Sequence, residues 1–340
     1  MSQSGMPPSA QEKSSCLKPP PVFLAGPTAV GKSAVVLELA EQLGGEIISV
    51  DSMQVYRGLD IGTAKPSPEE QRRVPHHLID VADLTEPFDG ARFVGLARTA
   101  VAQIQARQHL PIFCGGTGLY FKAFLEGLGN APPVETNLRV ELESAPLPEL
   151  LRELELKDSQ TFAAIDRKNR RRVVRALEVI RTTGMPFSAQ RAPWNAECGT
   201  RNAELFFGFT RTSEDLRTRI DARVDEMFAR GLVAETARLM SRGLEQNRTA
   251  MQAIGYRQVV EHLRGERSLG DTIALVKQKT CQFAKRQMTW FRGQFNLEWL
   301  MLAPSDEPGA VAKQIAERWR KLGLSSWRKR AIVAPLEIRS

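Results

Sequence analysis

The first third of the chain alternates short apolar runs with amphipathic segments. Four apolar runs have the length of buried strands: 22–25, 46–51, 77–81 and 110–114. Apolar residues at helical spacing follow the first run, recur over 89–107 and begin again at Leu119. Strands that alternate with helices predict an α/β fold, a parallel sheet with helices on both faces.

The pattern changes after residue 128. Residues 136–190 are predicted to be helical, a strand at 205–209 returns to the sheet, and helices resume at 214–230 and 233–241. We therefore expect an all-helical insertion inside an α/β core. The expected segments are a disordered tail at 1–21 that is rich in Ser, Pro and Gln, a first core part at 22–128, the helical insertion at 129–200, a second core part at 201–303, and an unassigned C-terminal tail at 304–340.

A complete G-x-x-x-x-G-K-[ST] phosphate loop follows the first predicted strand and opens a helix. Its residues are Gly26, Pro27, Thr28, Ala29, Val30, Gly31, Lys32 and Ser33. The glycines let consecutive backbone N–H groups point at an anion, and the helix adds its positive N-terminal end. Lys32 can reach the outer phosphates, and the Ser33 hydroxyl can bind Mg²⁺. The alternative is a plain turn before a core helix; the phosphate-loop interpretation predicts a P-loop NTPase-like sheet.

Polar residues follow two other predicted strands. Asp51 ends the second strand, and Thr117 follows two glycines after the strand at 110–114. Because ligands of parallel sheets bind at the carboxyl ends of the strands, these residues and the loop can meet in one cleft. Asp51 could bind a metal ion or take a proton, and Thr117 could hydrogen-bond a ligand. Arg219 and Arg223, four residues apart on a predicted helix, could clamp a diphosphate from the opposite side. The alternatives are a solvated strand-end Asp, an ordinary turn and exposed helix arginines.

Charge separates the two parts of the chain. The net charge is +8, yet the region around the phosphate loop is slightly acidic and the remainder is basic, which suggests a polyanionic partner. One basic segment spans 167–181 and carries an apolar face at helical spacing. A second spans 277–292 and is interleaved with Phe283, Trp290 and Phe291, which suits RNA. The alternatives are solvated basic helices and core aromatics.

Composition excludes several classes of protein. No stretch approaches the roughly 18–20 apolar residues of a membrane span, so we expect no membrane partner. The chain has four cysteines without a C-x-x-C pair and four histidines, which give no zinc-ligand pattern. A reduced, cytoplasmic protein is expected.

Six motifs in order resemble those of the tRNA dimethylallyltransferase family, also called isopentenyl-tRNA or IPP transferases. The resemblance runs from about residue 22 to residue 299. It rests on the phosphate loop at 26–33, Asp-Ser-Met-Gln-Val-Tyr-Arg-Gly-Leu-Asp-Ile-Gly-Thr-Ala-Lys-Pro at 51–66, Gly-Gly-Thr-Gly-Leu-Tyr at 115–120, Arg-Ala-Leu-Glu-Val at 175–179, Ile-Gly-Tyr-Arg-Gln at 254–258 and Lys-Arg-Gln-Met-Thr-Trp-Phe-Arg at 285–292. The second motif is very specific.

The resemblance implies transfer of a dimethylallyl group from its diphosphate to N6 of the adenosine immediately 3′ of the anticodon in tRNA. The loop would hold the diphosphate with Mg²⁺ near Ser33, Asp51 would be the base, Thr117 would touch the nucleoside, and Arg219 and Arg223 would help hold the diphosphate. A monomer is expected. The implied tRNA contacts are Asp51, Ser52, Met53, Gln54, Thr117, Arg139, Arg171, Arg172, Val173, Val174, Arg175, Gln252, Ala253, Ile254, Gly255, Tyr256, Arg257, Lys285, Arg286, Gln287, Met288, Thr289, Trp290, Phe291 and Arg292. Arg171 stands where relatives often have Gln, which adds a positive charge at that position.

Two other functions share the phosphate loop. One is a small-molecule P-loop kinase with ATP on the loop and Asp51 as base, and the other is an NTP-driven RNA-binding switch. Against both, the sequence has no Asn-Lys-x-Asp guanine motif, and the strand at 110–114 ends in Gly-Gly-Thr rather than in an acidic residue. A kinase would also have no need of two basic segments.

Overall fold

The computed structural model describes residues 20–127, 136–190 and 205–321, and its strands form one parallel sheet. The strands are β1 (Val22–Ala25), β2 (Gly45–Val50), β3 (His76–His77), β4 (Leu110–Gly115), β5 (Phe206–Thr210) and β6 (Glu298–Met301). They lie in the order β3-β2-β4-β1-β5-β6, and each neighbouring pair is parallel. The predicted α/β fold is confirmed.

Helices make up most of the remaining described chain. They are α1 (Lys32–Leu43), α2 (Pro68–Arg73), α3 (Gly90–Ala106), α4 (Gly118–Glu126), α5 (Thr136–Ser144), α6 (Leu147–Lys157), α7 (Ser159–Ala164), α8 (Arg170–Thr183), α9 (Ser213–Ala229), α10 (Leu232–Met240), α11 (Tyr256–Leu263), α12 (Leu269–Gln294) and α13 (Pro308–Trp319). Short 3₁₀ turns occupy Phe187–Gln190, Leu244–Gln246 and Ala250–Gln252. None of these helices is both long and apolar enough to cross a membrane.

The chain divides into two compact units. The first contains Met1–Phe121 and Arg201–Ser340, and the second is Lys122–Thr200. The second unit thus begins within α4, earlier than residue 129, where the sequence pattern changes. Its own core is apolar side chains of α5, α6 and α8, with Leu142, Leu154 and Leu177 fully buried.

Helix α13 lies in the segment 304–340, to which the sequence analysis assigned no structure. Its apolar positions recur at helical spacing, and Val311, Ala312, Ile315, Ala316 and Trp319 are all buried. They join the main core with α1 and the central strands. Helix α13 is therefore part of the first unit, because an amphipathic helix of this length is stabilised by packing and not by its own propensity. Residues 1–19 and 322–340 lie outside the described range.

The strand predicted at 77–81 is also corrected. Only His76 and His77 pair with β2. The next residues leave the extended conformation, since Leu78 and Asp80 have φ values of 63° and 55°. Asp80 then receives a 2.5 Å hydrogen bond from the buried Lys65. The apolar run continues to residue 81, but contacts with the 51–66 segment end the strand at His77.

The sheet order brings four strand ends together. Strand β1 lies between β4 and β5, and β2 lies beside β4. The segments that follow β1, β2, β4 and β5 therefore leave the same edge of the sheet. They carry the phosphate loop, Asp51, Thr117 and Arg211 respectively.

Candidate active site

Consecutive backbone N–H groups of the phosphate loop are grouped where the loop meets helix α1. Ala29 and Gly31 have φ values of 61° and 105°, so the chain turns sharply before α1 begins at Lys32. Within the described residues, the backbone N–H groups of Ala29 through Ser33 donate to no protein acceptor. Unpaired N–H groups at the start of a helix form an anion-binding cradle.

Lys32 closes back on the loop. Its Nζ donates to the carbonyl oxygens of Gly26 at 2.9 Å and Pro27 at 2.6 Å. Burial is the main reason that its pKa falls from 10.5 to about 8; nearby Arg223 adds to the decrease, and Asp51 opposes it. A bound diphosphate would favour the charged ammonium, because an opposite charge within a few ångströms raises the pKa of a lysine.

The two predicted arginines lie against the loop, one turn apart on α9. Arg219 Nε donates to the Ala29 carbonyl at 3.0 Å, and Arg223 Nη1 donates to Thr28 Oγ1 at 3.3 Å. Burial lowers the pKa of the Arg223 guanidinium, and the Asp51 carboxylate opposes this effect. Both cations therefore border the cradle, as the i, i+4 spacing predicts.

Arg211 is a third loop cation, and sequence reasoning missed it. It follows β5, and its side chain is only 6% exposed. Its guanidinium donates to the Val30 carbonyl at 2.7 Å, the Ala303 carbonyl at 3.1 Å and Asp215 Oδ2 at 2.7 Å. Its position directly after an apolar strand, at the same sheet edge as the loop, was the available signal. The loop carbonyls thus accept hydrogen bonds from lysine and arginine side chains, while the N–H groups of Ala29 to Ser33 stay available for an anion.

One carboxylate oxygen of Asp51 accepts backbone hydrogen bonds, and the other can still accept a proton. Oδ1 accepts hydrogen bonds from the backbone N–H of Met53 at 2.8 Å and of Gln54 at 3.2 Å. In the described part of the chain nothing donates to Oδ2. The turn after β2 therefore fixes the carboxylate while leaving an oxygen that can accept a proton.

Thr117 connects the turn after β4 to the segment after β2. Its N–H donates to the Val50 carbonyl at 3.1 Å, and its Oγ1 accepts from the Ser52 N–H at 3.1 Å. The hydroxyl proton is directed to no acceptor among the described residues. Asp51 and Thr117 are thus held side by side, and both can still bind a ligand.

Buried side chains also fix the 51–66 segment. Gln54 accepts from Ser49 Oγ at 2.8 Å and donates to the carbonyls of Thr63 and Ala64, each at 3.2 Å. The segment therefore carries a framework of its own behind Asp51. Its glycine-containing middle is held from another direction, by helices of the second core part.

Tyr256 is a structural residue of that framework rather than an exposed contact. It is 0% exposed; its hydroxyl accepts from the Gly62 N–H at 3.1 Å and donates to Glu235 Oε1 at 2.5 Å. Glu235 also accepts from the Ile61 N–H at 3.0 Å. A Cβ on Gly62 would lie 2.5 Å from the Tyr256 ring, so the position requires glycine. Burial raises the pKa of Tyr256.

Several residues of the implied tRNA-contact set are buried in this structure. Val173 and Val174 lie in the core of the second unit, and Phe291 in an aromatic cluster with Phe121. These side chains lie on the inward faces of their helices, since each contiguous helical motif has such a face. Ala253, Gly255, Tyr256 and Gln287 are also buried. The exposed members are Arg171, Arg172, Gln252, Arg257, Lys285, Arg286, Thr289 and Arg292.

In the second unit, two expected tRNA contacts pair with acids. Arg175 Nη1 lies 2.7 Å from Glu178 Oε2, and Arg139 Nε lies 3.0 Å from Glu143 Oε1. Glu178 itself is only 1% exposed. Both arginines are partly exposed, so an acid can orient the guanidinium while other N–H groups face outward.

A cavity of about 340 Å³ adjoins the loop. Its polar lining includes Lys32, Ser33, Asp51 and Thr117. Helices α9 and α12 and the turn before α11 contribute apolar lining residues, Val224, Met227, Ile254, Val276 and Phe283, beside the polar Arg223, Gln252, Thr280 and Gln287. The cavity can therefore hold a small molecule with a phosphorylated end and a hydrocarbon end.

The residues fit a magnesium ion held mainly by a ligand. Ser33 is exposed at this cavity, and its hydroxyl bonds no other described residue. The described residues contain no cluster of three or more His, Cys, Asp or Glu. A cation beside Ser33 would thus take most of its oxygen ligands from phosphate and water, which is how Mg²⁺ is usually bound in phosphate sites.

The fold and site define a P-loop enzyme with a carboxylate and an apolar chamber beside the anion cradle. The family model for IPP transferases matches residues 54–294. The tRNA dimethylallyltransferase of Geobacter metallireducens is 48% identical over 82% of this chain and 91% of its own length. The tRNA dimethylallyltransferase 1 of Trichlorobacter lovleyi is 46% identical over 84% of this chain and 94% of its own length.

Two solved structures of transferases that act on tRNA are also similar to this chain. The full-length tRNA isopentenylpyrophosphate transferase of Bacillus halodurans is 38% identical, with a TM-score of 0.65 over 92% of this chain and 99% of that one. A eukaryotic dimethylallyltransferase acting on tRNA is 27% identical, with a TM-score of 0.77 over 90% of this chain and 79% of that one. The chain belongs to the tRNA dimethylallyltransferase family, a family of prenyl-transferring enzymes.

Proposed function

We propose that this chain transfers the dimethylallyl group of dimethylallyl diphosphate to N6 of the adenosine that lies 3′ of the anticodon in tRNA. The observation that carries the proposal is the shared cavity. It joins an anion cradle, a carboxylate with an available oxygen and an apolar wall. A diphosphate on the loop directs its hydrocarbon end toward that wall, beside Asp51.

The reaction needs one bond broken, one formed and one proton moved. The C–O bond between the allylic carbon and the diphosphate breaks, the bond from that carbon to N6 forms, and Asp51 Oδ2 takes the proton that N6 loses. The loop N–H groups, Lys32, Arg219 and Arg223 stabilise the negative charge that develops on the leaving diphosphate. Mg²⁺ held by Ser33 and the diphosphate supplies further charge neutralisation when it is bound.

The adenosine must leave its stack to reach this carbon, as other base-modifying enzymes require. Thr117 is proposed to hydrogen-bond the flipped nucleoside beside Asp51. Phe283 and the neighbouring aliphatic side chains exclude water from the allylic carbon, which protects it from hydrolysis.

The tRNA backbone is proposed to bind the exposed basic residues of two helices. On α8 these are Arg171 and Arg172, with the partly exposed Arg175 beside them, and on α12 they are Lys285, Arg286 and Arg292. Phosphate contacts of this kind supply affinity that falls as salt rises. The proposal includes a monomer that acts in the cytoplasm; the described cysteines, Cys114 and Cys281, are both free thiols.

The test is transfer of label from dimethylallyl diphosphate to an anticodon stem-loop by the purified chain with Mg²⁺. We expect labelled N6-modified adenosine from a stem-loop that carries adenosine 3′ of the anticodon, and none when guanosine replaces it. A parallel reaction with ATP should show little turnover. Robust ATP hydrolysis or phosphorylation without allyl transfer would favour the kinase and contradict the proposal.

A further inference from the structure

Gln287 is a buried polar side chain in an otherwise basic stretch of α12. Its neighbours Lys285 and Arg286 are exposed, whereas Gln287 is 8% exposed. The family resemblance implies that the whole 285–292 stretch contacts tRNA. Burial of this amide on the inward face of the helix points to a different task.

The Gln287 amide joins two separate parts of the active site. Its Oε1 accepts from the Thr28 N–H at 2.9 Å, and its Nε2 donates to the Gly116 carbonyl at 2.9 Å. One partner is a donor and the other an acceptor, so these contacts fix the orientation of the amide. The side chain therefore spans from the phosphate loop after β1 to the turn after β4.

Gly116 shows how closely this contact is packed. A Cβ at Gly116 would lie 2.3 Å from Gln287 Nε2, a distance at which one of the groups must move. The glycine thus leaves space for the amide itself. Thr117, the next residue, is bonded to the Ser52 N–H at 3.1 Å, beside Asp51.

We infer that Gln287 is a positioning residue, which aligns the anion cradle with the turn that carries Thr117. By accepting from the Thr28 N–H it fixes the entrance of the loop, and the N–H groups of Ala29 to Ser33 stay available for the diphosphate. By donating to Gly116 it holds that entrance at a set distance from Thr117. Its part in catalysis rests on the proposed function, but its effect on anion binding does not.

The test separates anion binding from tRNA binding. Gln287→Met keeps the volume of the side chain and removes both hydrogen bonds, and Gln282→Met is the matched control because Gln282 is exposed on the same helix. Pyrophosphate binding with Mg²⁺ and without tRNA is measured by titration calorimetry. We expect Gln287→Met to weaken pyrophosphate binding about tenfold, which corresponds to one net hydrogen bond. It should also lower kcat and change tRNA affinity less than about twofold.

Opposite results would overturn the inference. Weaker tRNA binding with unchanged pyrophosphate affinity would make Gln287 a tRNA contact, and no change in either would remove any role. Gly116→Ala is a second variant in case Gln287→Met does not fold; it should displace the amide and reproduce the pyrophosphate defect, and unchanged binding would again contradict the inference. If the wild type binds pyrophosphate but transfers no allyl group, the proposed function fails while the calorimetry still tests Gln287.

Discussion

Arg211→Met is expected both to destabilise the first unit and to weaken anion binding by the phosphate loop. The Arg211 side chain is 6% exposed and that of its partner Asp215 is 15% exposed. The change leaves Asp215 and the carbonyls of Val30 and Ala303 without this donor. Removing one partner of a buried ion pair costs about 3–5 kcal/mol. At roughly 0.55 kcal/mol per kelvin of unfolding entropy for a unit of this length, Tm should fall by about 5–9 °C.

The assay combines calorimetric melting with pyrophosphate titration. Val30 lies inside the cradle, so loosening its carbonyl should also weaken pyrophosphate binding, by about tenfold. Arg217→Met is the control, because Arg217 is exposed on the same helix; it should shift Tm by less than about 1 °C. If Arg211→Met has the same Tm as the Arg217→Met control and binds pyrophosphate like the wild type, Arg211 does not stabilise the loop.

Three further predictions follow from single contacts. Lys32→Met should weaken pyrophosphate binding most below about pH 8, because Lys32 of the unliganded wild type is charged there. The ratio of the variant's dissociation constant for pyrophosphate to that of the wild type should shrink at higher pH. A constant ratio from about pH 7 to 9.5 would contradict this expectation. Gly118→Ala places a Cβ 2.0 Å from the Trp290 ring and should cost about 1–3 kcal/mol in urea unfolding, whereas Gly293→Ala, with open space around it, should not destabilise. Arg175→Ala should weaken tRNA binding and lower the slope of log affinity against log salt by about 0.7–0.9; an unchanged slope would exclude a phosphate contact.

The sheet and its catalytic edge could be predicted because their signals are local. Apolar runs define the strands, and a parallel sheet brings the residues that follow them to one edge. The phosphate loop and Asp51 follow their strands directly, and Thr117 follows β4 after Gly116. Their meeting at that edge therefore needs no information about side-chain packing.

The bracing of the site could not be predicted, because it depends on partners far away in the sequence. Gln287 reaches Thr28 across 259 positions and Gly116 across 171. A polar residue on a basic helix gives no sign of which backbone groups it will meet. The same holds for Glu235, which joins the Ile61 N–H to the Tyr256 hydroxyl. Burial separates these residues from their exposed neighbours, and it is visible only in the folded chain.

Asp51→Asn tests the central claim, that the available carboxylate oxygen takes the proton from N6. Asparagine can keep the oxygen that accepts from Met53 and Gln54, so the turn after β2 should persist. Two quantities are measured for the same variant: the single-turnover rate of transfer to the anticodon stem-loop, and the affinity for tRNA. We expect a transfer rate lower by about 10²–10⁴-fold, with tRNA affinity nearly unchanged. An unchanged transfer rate would contradict it.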